Sequence, residues 1–158
     1  LLGFLSGQLA GSGAGDPWFD ALQKPDYYPD PSVFGVVWTI LYVMMGLAFA
    51  LVCSAWGATG RGLAIGAFIV QFAMNLAWSP LFFMQHEITY AFYLLVALNV
   101  MLLITIVLFF RVRKMAALLL IPYIAWTAFA GYLNYDLMLM NPEADGSDTT
   151  GAVQRIEV

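Results

Sequence analysis

Five apolar runs, nearly empty of charge, cover residues 1–15, 33–56, 62–84, 88–110 and 115–140 of a 158-residue chain. Crossing a hydrocarbon core of about 30 Å takes roughly 20 helical residues, so the last four runs are long enough to span a bilayer. Segments of this length without strict alternation read as helices and not as barrel strands, because only a helix satisfies its own backbone groups in lipid. With 62% hydrophobic and 10% charged residues, little sequence remains for a soluble domain. The expectation is an all-α integral membrane protein: a five-transmembrane-helix bundle over residues 1–142 and a polar, flexible tail over 143–158. The first run is short and begins without Met, so part of the first span is expected to precede Leu1. A secretory leader is the alternative for this run, since it ends in small residues, but no basic n-region accompanies it.

Charge placement tests the span count, because five spans put alternate connections on opposite membrane faces. Arg61 lies between spans two and three, and Arg111, Arg113 and Lys114 lie between spans four and five; no acid accompanies them. The other face receives Asp16, Asp20, Asp26, Asp30, Glu87, Glu143, Asp145, Asp148 and Glu157 against Lys24 and Arg155. A wrong helix count would scramble this split. The basic face is therefore expected to be cytoplasmic, and a bacterial envelope membrane is the expected location. A net charge of −4 argues against a nucleic-acid partner, which needs a basic surface.

The connection over residues 16–32 is the one substantial loop. Pro17, Pro25, Pro29 and Pro31 set it on a stiff, irregular path. Its Trp18, Phe19, Tyr27 and Tyr28 suit a membrane interface, or a flap folded over a cavity. Span three has two differently equipped faces. Gln71, Asn75, Trp78 and Phe82 share one side of a helix, and amides in hydrocarbon need a protein or ligand partner. Interhelical hydrogen bonding and ligand contact are both open readings of that face. Almost opposite lie Gly62, Gly66, Ala73 and Ala77, small residues that allow close helix approach and mark a candidate homodimer seam. Span two adds Phe34, Trp38 and Tyr42. Span five adds Trp126, Phe129, Ala130, Leu133 and Asn134.

These aromatics are either core packing or the walls of a site for a planar apolar guest, whose polar edge Asn75 and Asn134 would orient. Pro80 and Pro122 each remove a backbone donor inside a span, and bends are expected there. Catalytic machinery is not visible. Lys24 and Lys114 sit in connections, Asp136 is the one acid clearly within a span, and Cys53 stands alone. His86, the sole histidine, reads as a solvated turn residue, with haem ligation as the alternative.

Read in order, Trp18-Phe19, Leu22-Gln23-Lys24-Pro25, Trp38 to Tyr42, Asn75-Leu76-Ala77-Trp78-Ser79-Pro80, Pro122-Tyr123-Ile124-Ala125-Trp126 and Leu133-Asn134-Tyr135 resemble the tryptophan-rich sensory protein family, TspO/MBR, related to the mitochondrial translocator protein or peripheral benzodiazepine receptor. The resemblance implies a five-helix bundle, commonly homodimeric, with a cavity under the first loop. In that family the cavity takes porphyrins such as protoporphyrin IX and benzodiazepine-type drugs. Carried over by position, the cavity residues are Trp38, Asn75, Trp78, Trp126, Phe129, Ala130, Leu133 and Asn134. Steroid binding is also implied, but the closing basic residue of the cholesterol-recognition pattern is missing between Asp136 and Met140. The expected role is binding of a porphyrin, or another planar amphiphile from the bilayer, in tetrapyrrole transport, sensing or stress regulation. No resident cofactor is expected, and porphyrin enters as ligand. The competing readings are photo-oxidative porphyrin degradation using Trp38 and Trp126, and a membrane scaffold without a ligand.

Overall fold

The computed structural model describes residues 17–146. The first apolar run and residues 147–158 lie outside the described residues. Among those described, every regular element is helical: α1 (Pro17–Asp20), α2 (Pro31–Cys53), α3 (Arg61–Ser79), α4 (Ile88–Val112), α5 (Lys114–Leu119) and α6 (Ile121–Met140). A π-helical turn, Pro80–Met84, extends α3, and α5 with α6 makes one broken span. Among the described residues, four stretches are thus long and apolar enough to cross a membrane: Ser32–Cys53, Arg61–Met84, Ile88–Val112 and Lys114–Met140. At about 1.5 Å per residue, each is long enough to cross the roughly 30 Å core.

The helices bury narrow stripes and leave the rest apolar and exposed, as a lipid-facing bundle requires. In α4 the buried stripe is Ile88, Ala91, Leu95, Leu98, Leu102, Thr105 and Phe109, the three-and-four spacing of one helix face. Val96, Val100, Leu103 and Val107 point outward. Thr105 is buried in that stripe because its hydroxyl donates to the Met101 carbonyl at 2.8 Å. Helix α4 makes the broadest contacts, with α3 and α6, whereas α2 is held by α5 and α3 and touches α6 least.

Both prolines act, each in its own way. At Pro80 the chain widens into the π turn, and Gln85 N–H reaches the Pro80 carbonyl at 3.1 Å. This is the usual response where a regular turn cannot be completed. At Pro122 the span breaks outright: Leu120 N–H turns back to the Ala117 carbonyl at 3.1 Å, and Pro122 sits in the first turn of α6, where its missing donor costs nothing.

Two boundaries differ from expectation. Span two ends at Cys53, so Trp56 belongs to the following loop. Gly57 and Gly60 turn that loop at φ +80° and +82°, values that favour glycine, and Arg61 Nε and Nη2 donate to the Cys53 carbonyl at 3.0 and 2.7 Å, finishing α2. Residues 143–146, expected to open the tail, are packed and bonded to the bundle. Ala144 is buried, Gly146 N–H donates to the His86 carbonyl at 2.7 Å, and Asp145 accepts from Ile88 N–H at 2.7 Å and Thr89 N–H at 3.2 Å. The Thr89 hydroxyl also donates to Asp145. Glu87 makes no side-chain cap at the start of α4, so a carboxylate from the far end of the chain supplies it.

Candidate functional site

The end of the bundle where α2 begins is closed by the first loop. Trp18, Phe19 and Leu22 are buried and pack with Phe82, Ile88, Ala91 and Leu137. Asn141, itself buried, fastens the loop: Gln23 N–H donates to its Oδ1 at 2.7 Å, and its Nδ2 donates to the Gln23 carbonyl at 2.8 Å. Lys24 turns inward and donates to the Phe19 carbonyl at 2.7 Å with its ammonium over the Phe19 ring. Burial lowers the Lys24 pKa, and Asp20 nearby partly restores it. Burial likewise pushes the Tyr28 phenol above its ordinary range. His86 is not a free solvated turn residue: its ring stacks on Trp18 at 4.2 Å, with its backbone at φ +57°. This stack, together with the Gly146 bond, holds a conformation that a non-glycine residue adopts at some cost.

Below the loop, the sequence-predicted residues fall into two neighbourhoods. Trp78 stacks on Phe82 at 5.0 Å, and its indole N–H donates to Asn134 Oδ1 at 3.2 Å. Asn134 Nδ2 in turn donates to the Ile88 carbonyl at 2.9 Å, and Leu133 is buried beside it. Asn75 belongs to a chain of side chains crossing three helices. Tyr42 OH donates to Asn75 Oδ1 at 3.0 Å, Asn75 Nδ2 to Tyr123 OH at 2.8 Å, and Tyr123 OH to Gln71 Oε1 at 3.0 Å. The amides expected to orient a guest thus each have a donor and an acceptor partner within the protein. Buried amides without partners would be penalised in hydrocarbon, which explains why they pair. Gln71 Nε2 ends the chain, fully buried and without an acceptor.

The second neighbourhood lies between α2 and α6. An open groove of about 440 Å³ is lined by Val37, Ile40, Leu41, Met44, Pro122, Ala125, Trp126 and Phe129. Its walls are apolar, and one donor is left over: the Trp126 indole N–H is buried without a hydrogen-bond partner. Trp126 meets Phe34 edge-on at 5.5 Å and Phe129 at 5.6 Å, and Phe34 contacts Tyr28 of the loop at 5.5 Å. An aromatic path therefore leads from the loop to the groove. Trp38 stacks on Tyr42 at 5.4 Å and meets Tyr123 edge-on at 6.4 Å, which sets it on the inner side of α2, between the groove helix and the polar chain. Ala130 is half-buried, and the adjoining Gly131 is buried, yet a Cβ built on it meets no atom within 4 Å.

Sequence reasoning did not single out Tyr123 or Asn141. Tyr123 carried a signal, a phenol three residues before Trp126 and one after a proline; Asn141 carried only its place before Pro142. The small residues Gly62, Gly66, Ala73 and Ala77 all stand exposed on the outer surface of α3, away from both neighbourhoods. Among the described residues, no group of three His, Cys, Asp or Glu side chains could hold a metal.

Comparison with known proteins adds a family. The model of the TspO/MBR family matches residues 1–140. The chain is 36% identical over 126 residues to the tryptophan-rich protein TspO of Chlorobaculum tepidum, covering 79% of this chain and 80% of that protein. It is 34% identical over 126 residues to protein CrtK of Rhodobacter capsulatus, covering 79% of each. It is 37% identical over 136 residues to the translocator protein of Homo sapiens, covering 85% of this chain and 80% of the relative.

Proposed function

The chain belongs to the TspO/MBR family, and on that premise we propose that this integral membrane protein binds a porphyrin, or a similar planar amphiphile drawn from the bilayer, against the α2–α6 groove. One observation carries the reading: an apolar groove walled by Trp126 and Phe129 adjoins a buried indole N–H with no acceptor. Aromatic faces supply dispersion contacts to a macrocycle, and the spare donor suits one polar atom at its edge. Trp38 backs this site from α2, and Asn75, Trp78, Leu133 and Asn134 support it by fixing the helices. Binding of this kind serves tetrapyrrole transport, sensing or stress regulation, in a bacterial envelope membrane with the Arg61 end cytoplasmic.

Titration with protoporphyrin IX tests the proposal through intrinsic Trp fluorescence. Saturable quenching is expected, with affinity falling about tenfold in Trp126→Ala and less in Trp38→Ala. Saturable binding untouched by both substitutions would remove these residues from the site.

Homodimerisation through α3 forms part of the same proposal. Gly62 and Gly66 are exposed, and a Cβ added to either meets no atom within 4 Å, so a second backbone has room to approach. Gly66→Leu should shift the oligomer to monomer in light scattering while quenching persists; an unchanged mass would reject this seam.

A further inference from the structure

The inner end of the bundle gathers Arg61 at the start of α3, Arg111 and Arg113 at the end of α4, and Lys114 at the start of α5. No acid occurs anywhere from residue 31 to residue 86 or from 88 to 135, so among the described residues the helices meeting at that end bring these cations no carboxylate. Two of them lie over aromatic rings. The Arg61 guanidinium sits 4.2 Å from the Trp56 ring centroid, and Lys114 Nζ sits 5.6 Å from that of Phe110. The rings are not core residues: Trp56 is 82% exposed and Phe110 52%.

Lys24 at the opposite end shows what a cation used for structure looks like. It too lies over a ring, but it is turned into the fold, bonded to two carbonyls and perturbed by burial. Arg61 differs. Its Nε and Nη2 are fixed on the Cys53 carbonyl, which immobilises the guanidinium and leaves its remaining N–H groups unspent. Arg111, Arg113 and Lys114 are exposed. Beside these cations stand Leu63, Met115 and Leu118, exposed at 67%, 61% and 57%. Their apolar surface belongs to acyl chains, so the neighbour one step further out is the headgroup attached to those chains.

We propose that this rim, centred on the Arg61–Trp56 pair and continued by Arg111, Arg113 and Lys114, binds the phosphate headgroups of anionic phospholipids. Exposed aromatics set the depth at the interface, and cations held over them meet the phosphate with charge-assisted hydrogen bonds. Nothing in this assignment depends on the porphyrin site, which lies along the α2–α6 groove.

The test is lipid retention by the full chain, reconstituted in mixed phosphatidylglycerol and phosphatidylcholine nanodiscs, extracted into mild detergent and read by native mass spectrometry. Phosphatidylglycerol should be retained at least about fivefold over phosphatidylcholine. That preference should fall severalfold in Trp56→Ala/Arg61→Gln and in Arg111→Gln/Arg113→Gln/Lys114→Gln. The second variant breaks none of the side-chain bonds that finish α2, so its helicity and protoporphyrin quenching should match the wild type even if the first variant folds poorly. Equal retention of the two lipids by the wild type would overturn the proposal, as would an unchanged preference in the triple variant. Displacement of phosphatidylglycerol by inorganic phosphate, but not by chloride at equal ionic strength, would instead assign the rim to free phosphate and overturn the lipid reading.

Discussion

On its α4 flank, helix α6 is tied by side chains at two levels: the Thr127 hydroxyl donates to Asn99 Oδ1 at 2.9 Å, and Asn134 Nδ2 donates to the Ile88 carbonyl at 2.9 Å. On its α2 flank it meets rings and an open groove, beside a buried indole N–H that has no hydrogen-bond partner. One helix therefore carries a bonded side and a slack side. In a bilayer there is no hydrophobic gain in pressing two apolar surfaces together, since lipid tails are equally apolar. Helices stay joined where polar groups or small residues hold them, and a seam without such groups is free to admit a guest. The groove is thus where polar glue is absent, and the polar chain through Tyr42, Asn75, Tyr123 and Gln71 marks where the bundle is held.

Filling the slack side should give the largest effect. Ala125 is exposed and lines the groove, so Ala125→Trp is expected to lower protoporphyrin affinity more than about tenfold in a quenching titration while leaving thermal stability near wild type. Undiminished affinity would place the guest elsewhere. Along the polar chain that ties α6 to α3, Tyr123→Phe removes the bonds to Asn75 and Gln71 together. Stability in detergent should drop by about 1–2 kcal/mol, the range of interhelical hydrogen bonds in membranes; no drop would mean the polar chain does not hold these helices.

A smaller effect of opposite sign is expected at Gly131, where a methyl group has open space. Gly131→Ala should raise stability by about 0.5–1 kcal/mol through helix propensity alone, measured as a higher melting temperature. A fall would show that the space closes in solution. The smallest effect concerns the entrance to α2. Asp30 caps that helix by accepting from Ser32 N–H at 3.0 Å and from the Ser32 hydroxyl, and these bonds hold its carboxyl below the ordinary 3.8. The folded state therefore binds its proton less readily than the unfolded chain. Its contribution is complete above the ordinary carboxylate value and fades as pH falls through the lowered one. Asp30→Asn should flatten the acid limb of a melting-temperature profile slightly, and an identical limb would show that the cap does not contribute.

Much of the architecture was legible because lipid imposes a length and a polarity. The observed spans at Arg61–Met84, Ile88–Val112 and Lys114–Met140 lie within two residues of the hydropathy runs. The fourfold spacing of Gln71 and Asn75 also identified the one face of α3 that carries buried amides. Other features could not be read locally. Trp56 prolongs the apolar run, and the turn at Gly57 and Gly60 with the Arg61 guanidinium on the Cys53 carbonyl shows that α2 has already ended. Residues 143–146 are polar enough to read as tail, yet Asp145 is engaged by backbone donors more than fifty residues away. Asn75 and Asn134 looked like groups awaiting a ligand because their partners, Tyr42, Tyr123, Trp78 and the Ile88 carbonyl, come from other helices.

By itself the sequence determined the solvent this protein lives in, the approximate limits of the four described spans, and which helix faces carry aromatics or amides. Each of these follows from transfer free energies and helical periodicity, which act within a single segment. Tertiary structure alone decided which partners the buried amides find, which end of the chain caps α4, and that, among the described residues, a groove lies open between α2 and α6. Those outcomes depend on which polar atoms come within hydrogen-bond reach across helices, a distance that no single segment contains.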